Sequence, residues 1–134
     1  MTRRPPLTIN DMAKQAYAHA KQSGFHERHP LNISEGQTID PAILSDQIRS
    51  DISVKLALIH SEASEALEEV RANLSPLQYY RREDGKPEGL ASELADIIIR
   101  VGDLCGSYSI DLEGVVAEKL AYNRTRPPKH GKNF

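Results

Sequence analysis

At 134 residues the chain has enough sequence for one core and not for two. Apolar residues make up 39% and charged residues 27%, the balance of an ordinary soluble domain, and a net charge of −2 leaves no basic field to hold DNA or another polyanion. No apolar run reaches membrane-spanning length, Arg3 and Arg4 lead into two prolines instead of a signal-peptide core, and the single Cys105 excludes an intrachain disulfide. A cytoplasmic protein with no nucleic-acid or membrane partner is the expectation.

Ile9, Met12, Ala13, Ala16, Tyr17 and Ala20 recur at helical spacing, which predicts a first helix from Thr8 to about Gln22, ended by Gly24. A loop rich in His, Pro, Asn and Gly follows, from Phe25 to Thr38. Asp40-Pro41 marks a helix start, with Asp as N-cap and Pro at the first helical position. The helical pattern then runs to about Arg71, with a candidate break near Ser50. Residues 73–87 read as an exposed connection around an Asp84-Gly85 turn. A third helix is predicted from about Glu88 to Tyr108, and a fourth from Asp111 to a stop before Pro127-Pro128, with a basic tail over 125–134. Alternating β-branched stretches are scarce, so residues 1–134 read as a single all-α domain.

The residues that carry chemistry lie on helices two and three. At ~100° per residue, Glu62, Glu65 and Glu69 share a face beside the apolar stripe of Ile52, Leu56, Ile59, Ala63, Ala66, Leu67 and Val70. Traced toward the N-terminus, that acidic line meets Leu58 and Val54, which makes it part of a half-buried groove. On helix three, Glu93, Asp96, Arg100 and Asp103 form one stripe next to Leu94, Ile97, Ile98, Val101 and Leu104. The remaining face carries Ala95, Ile99, Gly102 and Gly106, so this helix is expected to be buried all round. Buried carboxylates must be paired or must bind metal. Acids at i, i+3 on two helices offer four oxygen donors, which suits Mg²⁺. The competing readings are a solvated acidic face and a buried ion pair between Glu93 or Asp96 and Arg100 or a lysine. Glu68 faces water beside Arg71, His60 is a packed or surface histidine, and Cys105 belongs to the core. No histidine lies three residues after a glutamate, which argues against a helical di-iron site.

Glu62-x-x-Glu65, a gap of 27 residues and Glu93-x-x-Asp96 together resemble the motif of the MazG-like, all-α nucleoside triphosphate pyrophosphohydrolases. The likeness extends to Gly24-Phe25, to residues 59–71 (IHSEASEALEEVR), to residues 93–106 (ELADIIIRVGDLCG) and to residues 119–134 (KLAYNRTRPPKHGKNF), in family order. It implies a four-helix bundle that assembles as a dimer or a dimer of dimers. It implies Mg²⁺ held by Glu62, Glu65, Glu93 and Asp96, and cleavage of a nucleoside triphosphate to the monophosphate and pyrophosphate. It further implies that Lys119 and Asn123, four apart on helix four, contact phosphate and sugar. Arg126, Lys129, His130 and Lys132 are then candidates to close over the triphosphate, and Phe25, Tyr79 and Tyr80 to stack on the base. The small face of helix three (Ala95, Gly102, Gly106) suits close helix contact, which agrees with such an interface. Many relatives carry a further glutamate where this chain has Ser61, so the general base is open between Glu65, Glu69, Asp103 and a metal-bound hydroxide. Two other functions compete: a non-catalytic helical dimerisation or regulatory module, and a phosphoribosyl-ATP pyrophosphohydrolase-like enzyme.

Overall fold

The computed structural model describes residues 3–131, which are mostly helical. Helix α1 spans Ile9–Gln22, α2 Pro41–Ala72, α3 Leu90–Ser107 and α4 Leu112–Thr125. A two-stranded antiparallel hairpin, β1 (Tyr80–Arg81) and β2 (Pro87–Glu88), precedes α3, and a short 3₁₀ turn covers Pro128–Gly131. The expected all-α class and the four helices are present. The predicted start of the third helix is corrected by two residues, because Glu88 pairs with Tyr80 in the hairpin. The candidate break near Ser50 is absent, and α2 runs 32 residues without interruption.

Local chemistry explains the helix ends. Thr8 caps α1 by accepting from the Asp11 N–H, and Asp40 caps α2 by accepting from the Ala42 and Ile43 N–H groups. Asp111 accepts from the Gly114 N–H at the start of α4. Helix α3 has no side-chain cap. Gly89 stands there instead at φ +104°, and a Cβ at that position would run into the Gln78 carbonyl, so the approach of the connection to the helix start requires glycine.

Helix α3 lies at the centre, packed against α1 on one side and α2 on the other, while α4 rests more lightly on α1. The small face of α3 meets α1 of the same chain. A Cβ on Gly102 would come within 2.6 Å of the Met12 sulfur and 3.2 Å of the Ala13 Cα. One on Gly106 would come within 2.6 Å of Tyr17 Cβ and 2.8 Å of the Ala13 carbonyl. Gly102 and Gly106 therefore make the close helix contact expected of the small face, and they make it with α1 inside the subunit.

The expectation that α3 is buried all round is also corrected. Cys105, Gly102 and Glu93 are buried, yet Leu94, Ile98 and Ile99 are each about half exposed in the single chain. Leu56, Leu67 and Val70 of α2 are likewise open. Each apolar stripe is wider than the contact it makes within the chain, so part of it has no partner in the subunit.

Gly106→Ala is expected to destabilise the fold by about 1–3 kcal/mol, because the added methyl group overpacks a backbone contact that cannot open locally. A urea denaturation midpoint equal to that of the unmodified protein would contradict this packing.

Candidate metal centre and groove

Glu62 and Ala66 point inward from α2, and Glu93 and Asp96 project from the first turns of α3. One oxygen from each of Glu62, Glu93 and Asp96 lies within 4.8 Å of the others. Glu62 and Glu93 are buried, at 8% and 6% exposure, and Asp96 is more open. Three of the four predicted metal ligands thus converge. Glu65 stands outside this cluster on the exposed side of α2, close enough for its charge to act on Glu93.

Glu93 also belongs to a second grouping with Glu69 and Glu88, again with one oxygen from each within 4.8 Å of the others. Sequence reasoning missed Glu88, because only the hairpin brings it back over α2. The second group has protein partners. Asn73 donates to Glu69 at 2.7 Å, and Lys86 and Arg82 approach Glu88 at 3.1 and 3.7 Å. The Lys86–Glu88 contact holds the Lys86 ammonium above its usual range, first through the hydrogen bond and then through charge.

The first group is less well compensated. Arg100 Nε donates to Glu62 Oε1, so the ion pair expected for Glu93 or Asp96 is made by Glu62 instead. No group among the described residues donates a hydrogen bond to Glu93, whose carboxyl is pushed up by burial and then by Glu65, Asp96 and Glu62. Asp96 is raised by burial and then by Glu62, with Arg100 opposing. Oxygen-only donors, close spacing and unbalanced negative charge fit a hard divalent cation that retains several waters.

Glu62 and Asp96 open onto a cavity of about 500 Å³ in the groove between α1, α2 and α3. Along α2 its wall carries Asp51, Lys55, Leu58 and Glu62, spaced i, i+4, i+7 and i+11 on one face. Asp96, Ile99, Arg100 and Asp103 line it from α3, and Phe25 stands at the rim, 78% exposed. Compared with protein-family models, with curated proteins and with solved structures, the chain matches none of them.

Behind the groove sits a polar cluster that sequence reasoning did not assemble. His26 Nε2 lies 2.6 Å from Asp103 Oδ1, and Lys55 Nζ is 3.5 Å from Asp103 Oδ2. The Tyr108 hydroxyl donates to Asp51 Oδ2 at 2.6 Å, which, after burial, keeps that phenol far above its ordinary range. His29 Nδ1 accepts from the Leu31 N–H, so its neutral ring carries the proton on Nε2. Burial lowers the His29 pKa and keeps it neutral at pH 7. The rings of Tyr17, His26, His29 and Tyr108 stack edge to face or tilted in series at 4.9–5.4 Å, tying the loop after α1 to α3. A loop His-x-x-His has no periodic signal. Only the i, i+4 register of Asp51, Lys55 and Glu62's line hinted at this wall.

Lys119, Asn123 and Arg126 do not reach the groove within the chain. They lie on or just after α4, none lines the cavity, and Lys119 Nζ and Arg126 Cζ both approach the Tyr122 ring, at 5.8 and 6.0 Å. Tyr80 sits beside Glu69 and Glu88 and Tyr79 is half exposed, so neither joins Phe25 at the cavity. Lys132 and the His130 side chain lie outside the described residues.

The raised carboxyls have a stability consequence. A group whose folded pKa exceeds its unfolded value contributes stability that is present below the unfolded pKa and lost as pH rises through the folded one. In EDTA, thermal stability contributed by Glu93 and Asp96 should therefore increase as pH falls from 7 toward the carboxylate range. At pH 7, Glu93→Gln should raise Tm by on the order of a few degrees. A melting scan in which the substitution lowers Tm at pH 7 would show that Glu93 is not electrostatically strained.

Proposed function

We propose that the protein is a Mg²⁺-dependent nucleoside triphosphate pyrophosphohydrolase of MazG-like type, releasing pyrophosphate and a nucleoside monophosphate. The observation that carries this reading is the convergence of Glu62, Glu93 and Asp96 from two helices, with Glu62 and Asp96 lining a cavity large enough for a nucleotide and Glu93 buried and without a donor among the described residues. The ordered family-like segments support it independently.

In this reading Glu62, Glu93 and Asp96 hold the metal, and Glu65 completes the set by a side-chain movement from its exposed position. Mg²⁺ held by these residues would supply charge neutralisation for the phosphates and a lowered pKa for a coordinated water. Glu65 or Glu69 accepts the proton of the attacking water. The new P–O bond forms as the α–β anhydride breaks, and its electrons leave on pyrophosphate. Arg100, hydrogen-bonded to Glu62 and lining the same cavity, is placed to donate to a phosphate or sugar oxygen. Phe25 offers its ring at the rim for a base to stack upon.

The same proposal includes a homodimer or a dimer of dimers. Leu56, Leu67, Leu94 and Ile98 leave apolar strips open on α2 and α3, and Val115, Leu120 and Tyr122 do so on α4. A second copy covering these strips would bring its Lys119, Asn123 and Arg126 toward the groove they do not reach within one chain. Clearing stray or damaged nucleotides from the pool is the role such an activity would serve in the cytoplasm.

Pyrophosphate release from a panel of ribo- and deoxyribonucleoside triphosphates, with Mg²⁺ or with EDTA, tests the reaction. Release is expected only with metal, accompanied by the matching monophosphate. Including phosphoribosyl-ATP separates the related hydrolase. Glu93→Gln and Asp96→Asn should each lower kcat by about 10²-fold or more while the helical circular dichroism is kept. Near-normal turnover in either variant would refute the ligand assignment, and no turnover of any substrate by the unmodified protein would favour the non-catalytic module. Sedimentation should give a dimer or tetramer, and a monomer at micromolar concentration would remove the assembly from the proposal.

A further inference from the structure

The groove has a direction, and its charged groups fall along it in a fixed order. On α3 the lining runs from Asp96 through Arg100 to Asp103, about 10 Å along the axis, and Glu93 stands one turn before Asp96, outside the lining. On α2 it runs back through the sequence, from Glu62 through Leu58 to Lys55 and Asp51. The two lines meet at matching places, with Glu62 beside Asp96 and Arg100, and Lys55 beside Asp103. The clustered acids thus stand at one mouth. Arg100 comes next, about 6 Å further along α3. Beyond it Val54, Leu58 and Phe25 make the lining largely apolar, and Lys55, Asp103 and Asp51 are already engaged with partners there.

The two cations of the lining differ in what they have left to give. The Lys55 side chain is 12% exposed and lies 3.5 Å from Asp103. Arg100 is 40% exposed and is bonded through Nε alone, to Glu62 Oε1. A guanidinium carries five N–H donors, so four remain on its two terminal nitrogens, and none has a partner among the described residues. Held at Nε, the long side chain loses much of its freedom and offers a planar fork, which matches the oxygens of a phosphate. Glu62 accepts on Oε1 and still has Oε2 to offer a cation.

A nucleotide laid along this sequence of groups has one sensible direction. Its uncharged nucleoside belongs in the apolar stretch, and its terminal phosphates belong at the acidic mouth with the metal. The phosphate attached to the nucleoside then falls at Arg100. We propose that Arg100 is a catalytic residue that grips the non-bridging oxygens of the α-phosphate, and that Glu62 positions it through Oε1 while serving the metal. This assignment rests on the hydrolase reading of the acid cluster and deepens it by giving Arg100 the reacting phosphoryl group. The water oxygen bonds to the α-phosphorus, the bond to the bridging oxygen breaks, and its electron pair leaves on pyrophosphate. Arg100 donates hydrogen bonds throughout and gives up no proton.

Two measurements test it. Hydrolysis of the two diastereomers of a nucleoside 5′-(α-thio)triphosphate, with the base that is cleaved fastest, reads the contact at the α-phosphorus. Arg100→Met should lower kcat on the ordinary triphosphate by about 10²-fold, as loss of a donor to the reacting group does. For one diastereomer the slowing caused by sulfur should be clear in the unmodified protein and shrink toward none in Arg100→Met. Arg100→Lys, which keeps the charge beside Glu62 but not the fork, should recover only part of the lost rate and show the same reduced sulfur effect. Mn²⁺ binding followed by electron paramagnetic resonance, without nucleotide, separates this role from mere support of Glu62: Arg100→Met should bind Mn²⁺ at least as tightly as the unmodified protein, because a positive charge has been removed. Weaker Mn²⁺ binding by the variant, or sulfur effects equal in variant and unmodified protein for both diastereomers, would overturn the assignment of Arg100 and leave the hydrolase reading intact. No pyrophosphate release from any triphosphate by the unmodified protein would overturn the hydrolase reading and the role of Arg100 with it.

Discussion

The position of α3 depends on a backbone-to-backbone approach. Over two successive turns, at Gly102 and Gly106, this helix has no side chain where it meets Ala13 and Tyr17 of α1. The close fit sets the rotation of α3 about its own axis. Once that rotation is set, Glu93, Asp96, Arg100 and Asp103 must face α2, because they share the stripe away from the glycines. Glu62 and Lys55 meet them from a helix that runs 32 residues without a break. An added methyl group on the glycine face would turn or displace the stripe and disturb the whole groove, far from the substituted position.

Along the groove the electrostatic character changes with each turn. At one end two buried acids and a third more open one repel, with Arg100 bonded to Glu62 and its charge partly offsetting the repulsion at Asp96. Burial and mutual repulsion hold the Glu93 and Asp96 carboxyls above their usual range. Toward the other end each charge has a specific counterpart: Lys55 with Asp103, Asp103 with His26, Asp51 with Tyr108.

The single chain leaves much apolar surface uncovered. Helix α4 buries no residue, and α2 and α3 each bury only part of their apolar stripes. A domain of this size depends on burying a large share of its surface. Lys119 and Asn123 of α4 likewise stand outside the lining of the groove.

Helix positions were legible in the sequence because they rest on local chemistry. Thr8, Asp40 and Asp111 cap through their own side chains, and apolar spacing at 3.6 residues needs no knowledge of a partner. The same periodicity placed Glu62, Glu93 and Asp96 on inward stripes. It could not say which neighbour each face would meet. The small face of α3 announces a close helix contact but not its partner, which proves to be α1, since a stripe of glycines fits any helix that comes close. Glu88 reached the acids through a hairpin of two-residue strands, too short for a periodic signal, and His26 and His29 were gathered by a loop with none. Local propensity and amphipathic period thus determined the elements and their inward faces. Which faces met, which acid was left without a donor and how the lysine, aspartates and histidines assembled were decided by the tertiary structure, because pairing between distant segments depends on helix rotation and chain reversal that no local pattern encodes.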